Sequence, residues 1–185
     1  MGKIILVLGG VRSGKSHHAV ELAKQINSAA GGKRTVFLAT MEFIDEEIKE
    51  RIKLHKQNRP QEWQTVEEGK NVDKILLNLK GLCDVVIIDC LTNLVSNLLL
   101  ELNTVGKVKD RVKEIITILK DIDFTVIIVS NEVGCGVVPE TSLGRDFRDI
   151  AGLANQLMAK HADEVYLMTA GIPILLKPQI NTDRH

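Results

Sequence analysis

Short apolar runs punctuate the chain: Ile4 to Leu8, Thr35 to Ala39, Val85 to Ile88, Val126 to Val129, Val165 to Met168 and Ile174 to Leu176. They are continuous rather than alternating, the pattern of strands covered on both faces, as in a parallel sheet. Between them the apolar positions take helical spacing. Helices are predicted over residues 14–28, 43–57, 71–80, 91–102, 106–121 and 146–161. In the second of these Ile44, Ile48 and Ile52 recur every fourth position as one stripe. The βαβα order predicts a three-layer α/β sandwich with a mostly parallel central sheet and right-handed crossovers. The pattern fades between 58 and 70, where Arg59-Pro60 interrupts it, and no element is assigned there.

Composition narrows the class. The 185 residues suit one domain spanning 1–185, and 44% hydrophobic with 26% charged residues is ordinary for a folded globule. Lys plus Arg and Asp plus Glu both number 24, so the chain lacks the basic footprint of a nucleic-acid binder and any strong attraction to an anionic membrane. The longest apolar stretch, Cys90 to Leu100, is broken by Thr92, Asn93, Ser96 and Asn97, so no stable membrane insertion is expected. The first apolar run lacks a following cleavage site and reads as a strand. Cys83, Cys90 and Cys135 are odd in number and have no metal-ligand spacing, which reads as reduced thiols in a cytoplasmic protein.

One motif carries chemistry outright. Gly9-Gly10-Val11-Arg12-Ser13-Gly14-Lys15-Ser16 fits G-x-x-x-x-G-K-[ST] between a predicted strand and a predicted helix. Glycines let several amides converge on one phosphate, the helix start adds positive potential, Lys15 can reach the β and γ phosphates, and Ser16 can ligate magnesium. The expectation is a P-loop nucleotide-binding fold using GTP or ATP with Mg2+. Asp89, ending an apolar run, can face that magnesium directly or through water, or can cap the helix that follows. Glu47, Arg51 and His55 share a face of the predicted helix, with Lys56 and Arg59 within a turn. His55 can be a base or nucleophile near phosphates, or one polar residue on a solvated face. Asn131 and Glu132 end a central run at the same sheet edge as Asp89, where they can line the site or hold a turn. On these residues alone the chain can be a kinase, or a nucleotide-switched binding protein of the recombinase class.

A longer series of segments is more specific: GGVRSGKS, the Ala39-Thr40 pair, RIKLHKQNRPQEW, IDCLTNL, SNEVGCGVVPE and GRDFRDIAGLANQLMAKHADEVYLMTAGIPILLK. In order and spacing the chain resembles the bifunctional adenosylcobinamide kinase/adenosylcobinamide-phosphate guanylyltransferases of cobalamin biosynthesis, from Ile4 to about Lys177. The resemblance implies phosphorylation of the aminopropanol hydroxyl of adenosylcobinamide, then transfer of GMP from GTP to the new phosphate. It implies a GMP-histidine intermediate on His55, within a helical excursion near 43–60. It carries nucleotide-binding positions onto Gly9, Gly10, Val11, Arg12, Ser13, Gly14, Lys15 and Ser16. Further such positions are Thr40, Met41, Glu42, Lys56, Gln57, Asn58, Arg59, Glu67 and Asp89. Ser16 and Asp89 are the implied magnesium ligands, and a homo-oligomer, a trimer, is the implied assembly. Met41 stands where the family usually has a small polar residue, so a role there rests on its backbone.

Overall fold

The computed structural model describes residues 2–29, 34–41 and 60–176. In it the apolar runs become strands: β1 (Ile4–Gly9), β2 (Thr35–Ala39), β4 (Val85–Asp89), β5 (Thr125–Asn131), β6 (Glu164–Thr169) and β7 (Ile172–Leu175), with β3 (Gln64–Glu67) added between β2 and β4 in the chain. The helices are α1 (Lys15–Ala29), α2 (Val72–Asn78), α3 (Leu91–Leu102), α4 (Val105–Lys120) and α5 (Ser142–His161). The helix expected over 43–57 lies outside the described residues.

All seven strands join one sheet in the order β3-β2-β4-β5-β1-β6-β7. Every pairing is parallel except β6 with β7, an antiparallel hairpin turned at Ala170-Gly171. The fold is the expected α/β sandwich. Two departures have clear causes. Gln64–Glu67 is mostly exposed and carries no apolar run, so its strand character comes from backbone pairing with β2 at the sheet edge. Helix α5 starts four residues before its expected 146, because the Thr141 hydroxyl accepts the Gly144 amide (3.1 Å) and caps it there.

Alternation divides the core in two. Ile5, Val7, Phe37, Val85, Ile87, Ile127 and Val129 face α1 and pack on Ala19, Val20 and Ala23. Leu6, Leu38, Val86, Ile88, Val126 and Ile128 face the other way, into a larger cluster with α2 to α5. Each central strand is therefore covered on both faces, which is why its sequence is unbroken apolar. Among the described residues no helix is long and apolar enough to cross a membrane.

Candidate active site

Parallel strands end at one edge of the sheet, and ligands of such sheets bind in the crevice there. Gly9, Ala39, Glu67, Asp89 and Asn131 close β1 to β5 at that edge, with Gly9 opposite Asn131, and Ala39 opposite both Glu67 and Asp89. Gly9, Ala39, Asp89 and Asn131 continue the rows that face α1, so they lie on the face where that helix begins.

The turn from β1 to α1 is the phosphate motif. Its backbone takes left-handed values at Arg12 (φ 56°) and Gly14 (φ 94°). At Gly9 (φ 155°) a Cβ would stand 2.5 Å from the Met168 carbonyl oxygen and 2.6 Å from Ser13 Oγ, so any side chain there would push the loop off β6. The loop is pinned by three further bonds: the Ser13 amide donates to Gly10 O (3.3 Å), the Gly171 amide to Ser13 O (3.1 Å) and the Glu132 amide to Gly9 O (2.9 Å).

Lys15, 6% exposed, donates through Nζ to Gly10 O at 2.5 Å. Burial lowers its pKa below the usual lysine value, with Cys90 and Asp89 acting in the opposite direction. A buried ammonium bonded to a loop carbonyl and standing near a carboxylate is poised to meet anionic oxygens entering the turn. Ser13 Oγ is buried with no hydrogen-bond partner among the described residues, an orphaned polar atom inside the loop. These features fit a bound nucleotide phosphate. Ser16 in the first turn of α1 and Asp89 at the end of β4 supply hard oxygen donors on the same face. Such a sparse set suits magnesium, which keeps waters and substrate phosphates among its ligands. Asp89 does not cap α3: the cap position is Cys90, with no side-chain cap bond.

Thr40, fully buried, ties two strand ends together. Its hydroxyl donates to Cys90 O (2.6 Å) and accepts from the Cys90 amide (2.7 Å), while its own amide donates to Asp89 O (3.1 Å). Asn97 Nδ2 then donates to Thr40 O (2.9 Å) and Gly69 O (3.0 Å). Met41 follows, half-buried, and Glu67 is exposed at the end of β3. Glu42, His55, Lys56, Gln57, Asn58 and Arg59 lie outside the described residues. Behind the edge a buried chain runs Thr92 Oγ1···Ser130 Oγ (3.1 Å) and Ser130 Oγ to Asn155 Oδ1 (2.6 Å). Sequence reading missed this chain and Asn97. The available signal was polar residues at regular places in a helix otherwise built of Leu and Val.

The family model for cobinamide kinase / cobinamide phosphate guanyltransferase matches residues 5–176. The chain belongs to that family. The CobU proteins of Escherichia coli K12 and Salmonella typhimurium LT2, each named bifunctional adenosylcobalamin biosynthesis protein, are both 36% identical to it over 94% of this chain and 99% of theirs. The bifunctional adenosylcobalamin biosynthesis protein CobP of Pseudomonas aeruginosa is 35% identical over 93% of this chain and 96% of its own. A KaiC-like protein from Pyrococcus horikoshii superposes with a TM-score of 0.53 over 90% of this chain and 70% of its own, at 18% identity, and shares the fold. The cobinamide kinase family is thus built here on a P-loop sheet, with its phosphate turn and Asp89 two strands apart.

Proposed function

We propose that this one domain phosphorylates the aminopropanol hydroxyl of adenosylcobinamide with a nucleoside triphosphate, and then passes GMP from GTP to adenosylcobinamide phosphate through a GMP-histidine on His55. The observation that carries the reading is the buried Lys15 ammonium under a phosphate-shaped turn and near Asp89, in a member of the cobinamide kinase family.

In the first step, amides from Gly9 to Ser16 hold the phosphates and Lys15 draws charge from the β and γ groups as the acceptor hydroxyl attacks. Ser16 and Asp89 would hold magnesium, which would supply Lewis-acid charge neutralisation to the phosphates. In the second step the neutral imidazole of His55 attacks the α-phosphorus of GTP. The bond to the bridging oxygen breaks and pyrophosphate leaves. The phosphate of adenosylcobinamide phosphate then displaces histidine and takes GMP. Lys56 and Arg59 neutralise charge on the phosphates, and Gln57 and Asn58 contribute contacts in the same segment. Glu42 and Glu67 hydrogen-bond base or ribose. Thr40 acts by fixing the ends of β2 and β4, and Met41 through its backbone.

We place these reactions in the cytoplasm, in keeping with three unpaired thiols. The working form is a homo-oligomer, a trimer. Its support is apolar surface on the edge strand and just after it, where Ile172, Ile174, Leu175 and Leu176 are all exposed. Sedimentation of the purified chain tests the assembly.

The chemistry is tested with GTP labelled at the α-phosphate. Parent protein denatured after incubation retains label that is lost in acid and stable in alkali, and His55→Ala retains none. A protein that binds GTP and phosphorylates adenosylcobinamide but never carries label would overturn the covalent route and leave a kinase.

A further inference from the structure

Strand β5 lies between the strand that feeds the phosphate turn and the strand that ends in Asp89. Whatever its last residue presents on the α1 face therefore stands between the turn and that carboxylate. That residue is Asn131, directly opposite Gly9 and next in the row Ile127, Val129.

Its backbone is clamped from two helices. The Asn131 amide donates to Thr92 Oγ1 (2.7 Å) on α3, and Asn155 Nδ2 on α5 donates to the Asn131 carbonyl (3.1 Å). Thr92, Ser130 and Asn155 are themselves buried and mutually bonded, so the clamp is rigid. The next residue has another duty. Glu132 bonds Gly9 O through its amide, and its carboxylate accepts the Gly134 amide (3.0 Å), holding the turn after β5. The carboxamide of Asn131, half-buried, has no hydrogen-bond partner among the described residues. A fixed backbone with an uncommitted side-chain donor, beside a phosphate turn, is how a protein positions a group for a ligand rather than for its own core.

We propose that Asn131 is a catalytic residue of the phosphoryl-transfer step, its Nδ2 donating a hydrogen bond to an equatorial oxygen of the γ-phosphoryl group. The inference rests on the kinase reading above. As the acceptor hydroxyl oxygen bonds to the γ-phosphorus, the bond to the β–γ bridging oxygen breaks and its electron pair leaves with the nucleoside diphosphate. The hydroxyl proton goes to water. Charge spreads over the equatorial oxygens during this exchange, and a neutral donor follows it without adding a second cation beside Lys15.

The test uses Asn131→Ala, and Asn131→Leu, which keeps the size and removes the donor without adding charge. Neither removes the backbone clamp. Phosphorylation of adenosylcobinamide by γ-labelled GTP is measured beside the affinity for GDP, which lacks the γ group, and beside thermal stability. Turnover in both variants should fall by about 100-fold, the effect of removing one preorganised donor, while GDP affinity and melting temperature stay at the parent's. Turnover within about threefold of the parent overturns the proposal. So does a parallel fall in GDP affinity, which would make Asn131 a strut of the loop. A parent protein that phosphorylates no adenosylcobinamide would instead remove the kinase reading itself, a result visible before any variant is made.

Discussion

Lys15 shows stability set against function in one side chain. Burial disfavours its ammonium, and the phosphate turn keeps it there for a ligand. Lys15→Met should melt no lower than the parent, because it removes a buried charge, while kinase turnover falls by at least about 100-fold. Calorimetry beside a turnover assay checks both halves. The cysteines divide by the same physics. Burial first, and Asp89 second, push Cys90 up to about 12. Burial, with Asp84 and Asp123 adding to it, pushes Cys83 up to about 11. Cys135 is exposed. Iodoacetamide at pH 8 should therefore label Cys135 alone in native protein and all three thiols after unfolding, read by mass spectrometry. The raised value of Cys83 also sets a pH dependence. Its protonated thiol favours the fold fully below 9.0, the ordinary thiol value, and that contribution is lost as pH rises through about 11. Melting temperature should fall across that window more steeply in the parent than in Cys83→Ala. At this scale the phosphate turn was readable because its chemistry is local. The tie of Thr40 to Cys90 and the bonds of Asn97 were not, since their hydrogen-bond partners come from distant parts of the chain.

Elements were legible in proportion to their burial. Strand β2 and helix α3 fall on their expected bounds, because both are apolar and both end at a change of polarity. Strand β3, mostly exposed and polar, is recognisable only from its neighbour. What no element announces is its binding to others. Ser130 joins β5 to α3 and α5 from a position that reads as the polar end of a run. Ser130→Ala leaves the buried Thr92 hydroxyl and Asn155 carboxamide each short of a partner, and should cost about 1–3 kcal/mol in urea unfolding. The Thr141 cap sits at an exposed helix end, and Thr141→Ala should cost about 1 kcal/mol in the same assay.

For the whole molecule, the layers follow from unbroken strands alternating with helices, but the strand order does not. Sequence says that β1 is buried on both faces; it does not say that its neighbours are β5 and β6. The edge shared by Gly9, Asp89 and Asn131 depends on that order, which is why Asp89 could be suspected from its run while Asn131 remained one of two readings. The order also has a consequence for synthesis. The strand that launches the phosphate turn is made before the rest of the sheet, yet both of its hydrogen-bonding neighbours belong to residues 125–169, and the Gly171 amide that pins Ser13 comes later still. Until those residues leave the ribosome, β1 has no sheet to join and the turn has no fixed shape. Chains arrested within α4 should pass through a column of immobilised GTP, and retention should begin only once β6 and the hairpin after it have emerged. Nucleotide capture would then report a closed sheet, and the cell would spend no triphosphate on fragments that lack it.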